Sequence, residues 1–197
     1  MIDEMVAYFA LVGACMGSFV AAMAWRLPRS ISVWGRSTCV DCGHVLGVAD
    51  LVPFLSWLWS RGRCRYCGVA VSRRYPLVEM TSALFWAMCA SLFPHPLEAA
   101  SVALLGSSLL YLSLVDIDWY YLPDGGVLLV AALGMARLYY VADPWLHFIG
   151  AALMGGGALS VRFAVSRLLG REALGLGDVK LMTASALWLG VDGLSDF

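Results

Sequence analysis

The chain reads as long apolar stretches separated by short polar ones. Residues 5–25, 76–93, 97–115, 125–142, 145–165 and 179–195 each approach the roughly 20 apolar residues that carry a helix across a bilayer core of about 30 Å. The last two are interrupted by glycines and small residues, so their ends are soft. This pattern predicts an all-α polytopic membrane protein with about six transmembrane helices. The one long polar interval follows the first stretch. The chain therefore divides into a first transmembrane helix (1–25), a four-cysteine loop (26–75) and a membrane region (76–197). The first stretch opens on Asp3 and Glu4 rather than on basic residues, and no small-residue cleavage site precedes Arg26. It is expected to remain as a helix and not to be a cleaved leader.

Composition agrees with a lipid solvent: 61% of residues are hydrophobic and 14% charged, against a near-even mix in soluble domains. The net charge of −1 adds little, but the positions of the cations add much. Eight of the 13 lysines and arginines (Arg26, Arg29, Arg36, Arg61, Arg63, Arg65, Arg73 and Arg74) lie in the loop. Basic loops stay in the cytoplasm, so the loop is expected there and the N-terminus outside. Six spans then return residues 116–124 and 162–180 to the same face, where Arg162, Arg167, Arg171 and Lys180 conform. Only Arg137 falls toward the outer side, where a long side chain can snorkel.

Cys15 and Cys89 sit inside apolar stretches and read as packing residues. The other four cysteines form Cys39-Val-Asp-Cys42 and Cys64-Arg-Tyr-Cys67, with 21 residues between the pairs. Gly43 and Gly68 follow them and permit a sharp turn beneath an ion. This spacing suits tetrahedral thiolate coordination, with Zn2+ the usual ion, and a cytoplasmic loop keeps thiols reduced. Redox-active or unliganded cysteines are the alternative. The run Leu51 to Trp59 between the pairs is apolar and aromatic but too short to span. It suits either the lipid bilayer at headgroup depth or a small core over the ion.

Acids at a membrane edge are functional candidates by default. One set is Asp116, Asp118 and Asp124; the other is Asp178 in Gly175-Leu-Gly-Asp-Val-Lys180. The charge-derived topology puts both on one face, although Asp116 and Asp178 are 62 residues apart. Two carboxylates that share a proton can divide base and acid roles in water activation. Gly175 and Gly177 would let an extended peptide approach the backbone closely. Asp178 could instead cap the last helix, and Asp124, after Pro123, suits a cap of the fourth span. Asp116 and Asp118 cannot face the same way on a helix, and spacing alone does not choose between them.

These blocks, in this order, resemble the bacterial type IV prepilin peptidases, which are membrane aspartic peptidases of the GxGD type. The resemblance rests on Gly17-Ser-Phe19 with Trp25-Arg-Leu-Pro28, the four cysteines, Ser72-Arg-Arg-Tyr-Pro-Leu-Val-Glu79, Asp116 through Leu122-Pro-Asp124, and Gly175 to Lys180. It implies that Asp116, seven residues before Pro123, and Asp178 are the catalytic pair and Asp118 a bystander. It also implies prepilin or pseudopilin precursors as partners, cleaved at the cytoplasmic side of the bacterial inner membrane. Many members then methylate the new amine with S-adenosylmethionine, an activity associated with the cysteine loop. Glu79 is accordingly a candidate at the methylation site, although an acid at a helix start also suits the helix dipole. Lys180 either keeps Asp178 ionised near the substrate or simply fixes topology.

The family commonly continues through further spans beyond the sixth, while this sequence ends at Phe197. The sequence is then either a short natural form or a truncated one, and what a longer relative adds bears on lipid-facing packing and on the contacts of a homodimer rather than on either aspartate. No nucleic-acid partner is expected. Three other functions fit part of the pattern. A zinc-dependent docking protein or a lone methyltransferase would need the loop but neither aspartate. A transporter would place acids near the bilayer midplane, not at one edge.

Overall fold

The computed structural model describes residues 2–170 and 174–194. Arg171, one of the cations expected at the cytoplasmic face, lies outside the described residues. The described chain is helical: α1 (Ile2–Arg26), α2 (Leu55–Trp59), α3 (Arg74–Leu92), α4 (Pro96–Trp119), α5 (Asp124–Arg137), α6 (Pro144–Leu169) and α7 (Leu176–Leu194). The six long helices follow the six apolar stretches. Among the described residues three segments, Asp3–Arg29, Pro96–Trp119 and Pro144–Leu169, are long and apolar enough to cross a membrane. The other long helices have 19, 14 and 19 residues. The chain forms two compact units, Met1–Leu114 and Val115–Phe197, with the boundary inside α4.

In the first unit α1 and α3 pack backbone to backbone. Gly13 and Gly17 make this approach possible. A Cβ at Gly13 would stand 2.6 Å from the Trp86 Cβ, and one at Gly17 would stand 2.7 Å from the Glu79 Cα. Glycines four apart on one helix face are the usual means of close approach in lipid, where apolar burial gives no drive between helices. The Trp86 Nε1–H donates to Ser107 Oγ of α4 at 2.9 Å, and Ser107 in turn donates to the Ala103 carbonyl. Around this polar chain Phe9, Cys89, Ala90, Ala99 and Ala103 form the core of the unit. The α1 exit is fixed by Arg26, which is buried. Its guanidinium donates to the carbonyls of Val33 (3.1 Å) and Gly35 (2.7 Å) and to Ser37 Oγ (3.4 Å). The first turn of the loop is thereby wound around this cation.

In the second unit α7 packs between α5 and α6. Gly155 of α6 faces the Thr183 hydroxyl and Gly150 faces the Gly190 backbone. Gly190 leaves the helical region (φ 68°, ψ −173°) and kinks α7 near its end. A break of this kind deprives preceding carbonyls of their helical donors, and in an apolar setting side chains must replace them. A ring nitrogen of His147 bonds the Leu187 carbonyl at 2.9 Å, and the Arg137 guanidinium donates to the Trp188 carbonyl at 2.8 Å. Arg137 is therefore engaged with the kink, and its guanidinium also lies over the Trp188 ring.

Candidate functional site

The acidic site lies wholly within the second unit. Asp116 is on the last turn of α4, which Tyr120 terminates by adopting a left-handed conformation (φ 56°) while its N–H bonds the Asp116 carbonyl at 2.8 Å. An aromatic residue in that region is strained, and such strain gathers at functional positions. Asp116 and Asp118 are both exposed and, two residues apart on a helix, point in different directions. Leu122 and Pro123 then lead into α5. Pro123 holds the cap position and makes no side-chain capping bond, so Asp124 is the first residue of the helix and not its cap.

Asp178 sits in the first turn of α7 and is exposed. The Gly175 carbonyl accepts the first helical bond, from the Val179 N–H at 3.3 Å. The cap position therefore belongs to Gly175, which leaves the Asp178 carboxylate free of that duty. The two glycines have different neighbours. A Cβ at Gly175 would stand 2.9 Å from Asp178 Oδ2, whereas one at Gly177 would stand 3.1 Å from the Leu122 Cβ. Gly175 makes room for the carboxylate itself, and Gly177 makes room for the segment that follows Asp116. Lys180 reaches Asp124, not Asp178: its Nζ donates to Asp124 Oδ1 at 2.7 Å. Two contacts thus join the loop after α4 to the start of α7, across 55 and 56 residues of chain.

The cysteine cluster lies in the first unit. The Sγ atoms of Cys39, Cys42, Cys64 and Cys67 all fall within 4.8 Å of one another, and those of Cys39 and Cys67 are 3.9 Å apart. A tetrahedral Zn2+ with sulfur at about 2.3 Å requires edges of about 3.8 Å, so this donor set fits the ion. Each pair lies in the same small frame. The Cys39 N–H bonds the His44 carbonyl and the Cys64 N–H bonds the Val69 carbonyl; Gly43 and Gly68 donate back to Cys39 and Cys64. Both glycines have positive φ (69° and 75°), which the turn beneath the thiols demands. Backbone N–H groups of Cys42 and Asp41 lower the Cys39 thiol to about 7. The Val69 backbone bond lowers Cys67 too, but desolvation and the neighbouring thiols of Cys64, Cys42 and Cys39 outweigh it and push that thiol up to about 12.

Asp50 joins the two knuckles. Its carboxylate accepts from the Gly47 N–H (3.1 Å) and the Tyr66 hydroxyl (3.4 Å) and pairs with Arg65 (3.3 Å), while the His44 and Tyr66 rings stack at 3.5 Å. The aromatic run serves two purposes. Trp57 packs under Gly62 and donates to the Val71 carbonyl, whereas Leu58 and Trp59 are exposed. Glu79 is buried on α3 and accepts the Phe54 N–H at 2.6 Å, where Phe54 has a positive φ of 43°. Its carboxylate therefore anchors the loop to the helix. Sequence reasoning met Arg26 only as a loop cation and within the Trp25 to Pro28 block, met Leu122 only within the leucine-proline-aspartate element, and passed over Asp50, which carried no signal.

Residues 11–93 match the family model described as the bacterial peptidase A24 N-terminal domain, and residues 103–197 match the type IV leader peptidase family. A prepilin leader peptidase/N-methyltransferase of Myxococcus xanthus is 36% identical over 93% of this chain and 57% of its own length. A type 4 prepilin-like proteins leader peptide-processing enzyme of Escherichia coli is 33% identical over 90% of this chain and 74% of its own length. A prepilin leader peptidase/N-methyltransferase of Bacillus subtilis is 30% identical over 97% of this chain and 76% of its own length. No solved structure matches the chain. With both matched regions and these relatives spanning nearly all of it, the chain belongs to the type IV leader peptidase family.

Proposed function

We propose that this chain is a membrane aspartic endopeptidase that removes the leader of type IV prepilins or type II secretion pseudopilins and then methylates the new N-terminus. The observation that carries the peptidase reading is the double tie of Leu122 to Gly177 and Asp124 to Lys180. It draws together, within one unit, the two elements that bear Asp116 and Asp178. Residues 76–197 form the peptidase region in this reading and residues 26–75 the methylation-associated loop. The six long helices cross the bacterial inner membrane with the N-terminus outside, so that the aspartates meet the scissile bond at the cytoplasmic interface.

In the reaction one aspartate, ionised, takes a proton from water as the water oxygen attacks the scissile carbonyl carbon. The other, protonated, donates to the carbonyl oxygen. Collapse of the tetrahedral species breaks the C–N bond, and a proton passes to the departing amine. Asp118, pointing away from Asp116 on the same turn, has no part in this. Zn2+ would be held by Cys39, Cys42, Cys64 and Cys67 and would fix the loop. S-adenosylmethionine, when bound, supplies an electrophilic methyl group to the new amine. Glu79, buried and engaged with Phe54, suits a residue that holds the loop in place for that donor better than one that touches it.

The test is the mass of a prepilin after incubation with membranes that contain the protein. Wild type and Asp118→Ala remove the leader, while Asp116→Ala and Asp178→Ala lose on the order of a thousandfold or more in rate. An added methyl mass reports the second activity. Cleavage that survives Asp178→Ala would end the aspartic mechanism.

A further inference from the structure

The contacts between the loop after α4 and the start of α7 point to a function for residues outside the catalytic pair. We infer that Leu122 and Asp124, seated on Gly177 and Lys180, form a latch that sets the distance and angle between Asp116 and Asp178. Asp124 and Lys180 are positioning residues in this scheme. It rests on the peptidase reading above.

Three observations support the latch. First, Asp116 and Asp178 lie on two helix ends 62 residues apart in the chain. Asp116 is four residues from the left-handed Tyr120, where α4 stops, and Asp178 is in the opening turn of α7. Second, the Leu122 contact admits only glycine at 177 without displacement, because a Cβ there would lie 3.1 Å from the Leu122 Cβ. Third, the Lys180–Asp124 pair closes at 2.7 Å although both side chains are largely exposed, at 52% and 77%. An exposed ion pair contributes little to stability, so the effect of this one is to be sought in geometry. A dyad that shares one proton tolerates little error in separation, and displacement by about 1 Å can cost on the order of a hundredfold in rate.

The alternative assigns each residue a local role: Lys180 as a topology-fixing cation and Asp124 as a favourable charge at the α5 N-terminus. The two schemes differ under charge exchange. If the latch is correct, Asp124→Lys and Lys180→Asp each lower kcat by about tenfold to a hundredfold. KM and the thermal midpoint should stay near wild type, and the double exchange should restore kcat. Local roles predict the reverse, since the exchanged protein would carry two misplaced charges and be the worst of the three. Singles with wild-type kcat, or a folded double exchange without recovery, overturn the latch.

The contact itself is read without activity. A carbodiimide should join the Lys180 Nζ to the Asp124 carboxylate, 2.7 Å apart, as an isopeptide cross-link formed with loss of water and read by mass spectrometry of the folded, membrane-embedded chain. Absence of the cross-link in folded protein overturns the proposal. A cross-link in a protein whose wild type cleaves no prepilin overturns the peptidase reading, and the positioning role with it, while leaving the contact.

Discussion

At the scale of single residues, the informative positions are those where a small side chain or a charge has one neighbour. Gly175 is the sharpest. A methyl group there would meet Asp178 Oδ2 at 2.9 Å, so Gly175→Ala should turn the carboxylate away and depress prepilin cleavage while the thermal midpoint stays put. Glu79 should behave in the opposite way. Glu79→Ala leaves the Phe54 N–H without its acceptor, a loss of about 1–3 kcal/mol. Glu79→Gln keeps an acceptor oxygen and costs less. Hydrogen exchange at the Phe54 amide, together with thermal unfolding, separates the two variants. The four cysteines and the glycines around Asp178 were legible in the sequence because their spacing is local. The partner of Lys180 was not, because a pair 56 residues apart leaves no periodic trace. The same distance hid Leu122 as the reason for Gly177.

Among the elements, six apolar stretches became six long helices, three of them in segments long and apolar enough, among the described residues, to cross a membrane. What periodicity did not disclose was how the helices meet. Gly17 stood out only within the Gly17-Ser-Phe19 block and Gly13 not at all, yet they form the α1–α3 seam. A side chain at 17 would strike the Glu79 Cα, which is backbone and cannot swing aside. Gly17→Leu should therefore destabilise the solubilised protein by about 1–3 kcal/mol or more, as overpacking does, with Gly17→Ala less severe. Unfolding in detergent micelles gives the comparison. The kink at Gly190 was equally hidden, because a glycine near the end of a span looks like a frayed terminus. The need for donors at the Leu187 and Trp188 carbonyls explains the positions of His147 and Arg137, which the charge pattern alone would have left at the lipid edge.

For the whole molecule, pH should act on the two sites in different ways. The proposed mechanism needs one protonated and one ionised aspartate, so the cleavage rate should be bell-shaped in pH; a flat profile from about pH 4 to 9 would exclude that chemistry. The cysteine centre has no such optimum. Its ligands bind as thiolates, so protons compete with the ion throughout. In the metal-free loop Cys39 titrates at about 7 and Cys67 at about 12. Between these values apparent affinity for Zn2+ should rise with pH, and loading near neutrality should release protons, that of Cys67 among them. Titration in weak buffer with a pH indicator measures the release. Chelation should strip the ion and expose the loop to protease while the helices persist.

The matched hydrogen-bond frames of the two knuckles have a kinetic consequence. Each frame closes within a few residues, so each half can form alone as the chain emerges, holding two of the four thiols. Capture of an ion by the four thiols would then be a stepwise chelation: one half would take it from solution, and the other would find it at an effective concentration set by the 21 residues between Cys42 and Cys64. Release would follow the same path backwards. The residence time of such an ion would therefore depend on the stiffness of the linking segment, and Asp50, which clamps that segment to Arg65 and Tyr66, would act as the brake on its escape.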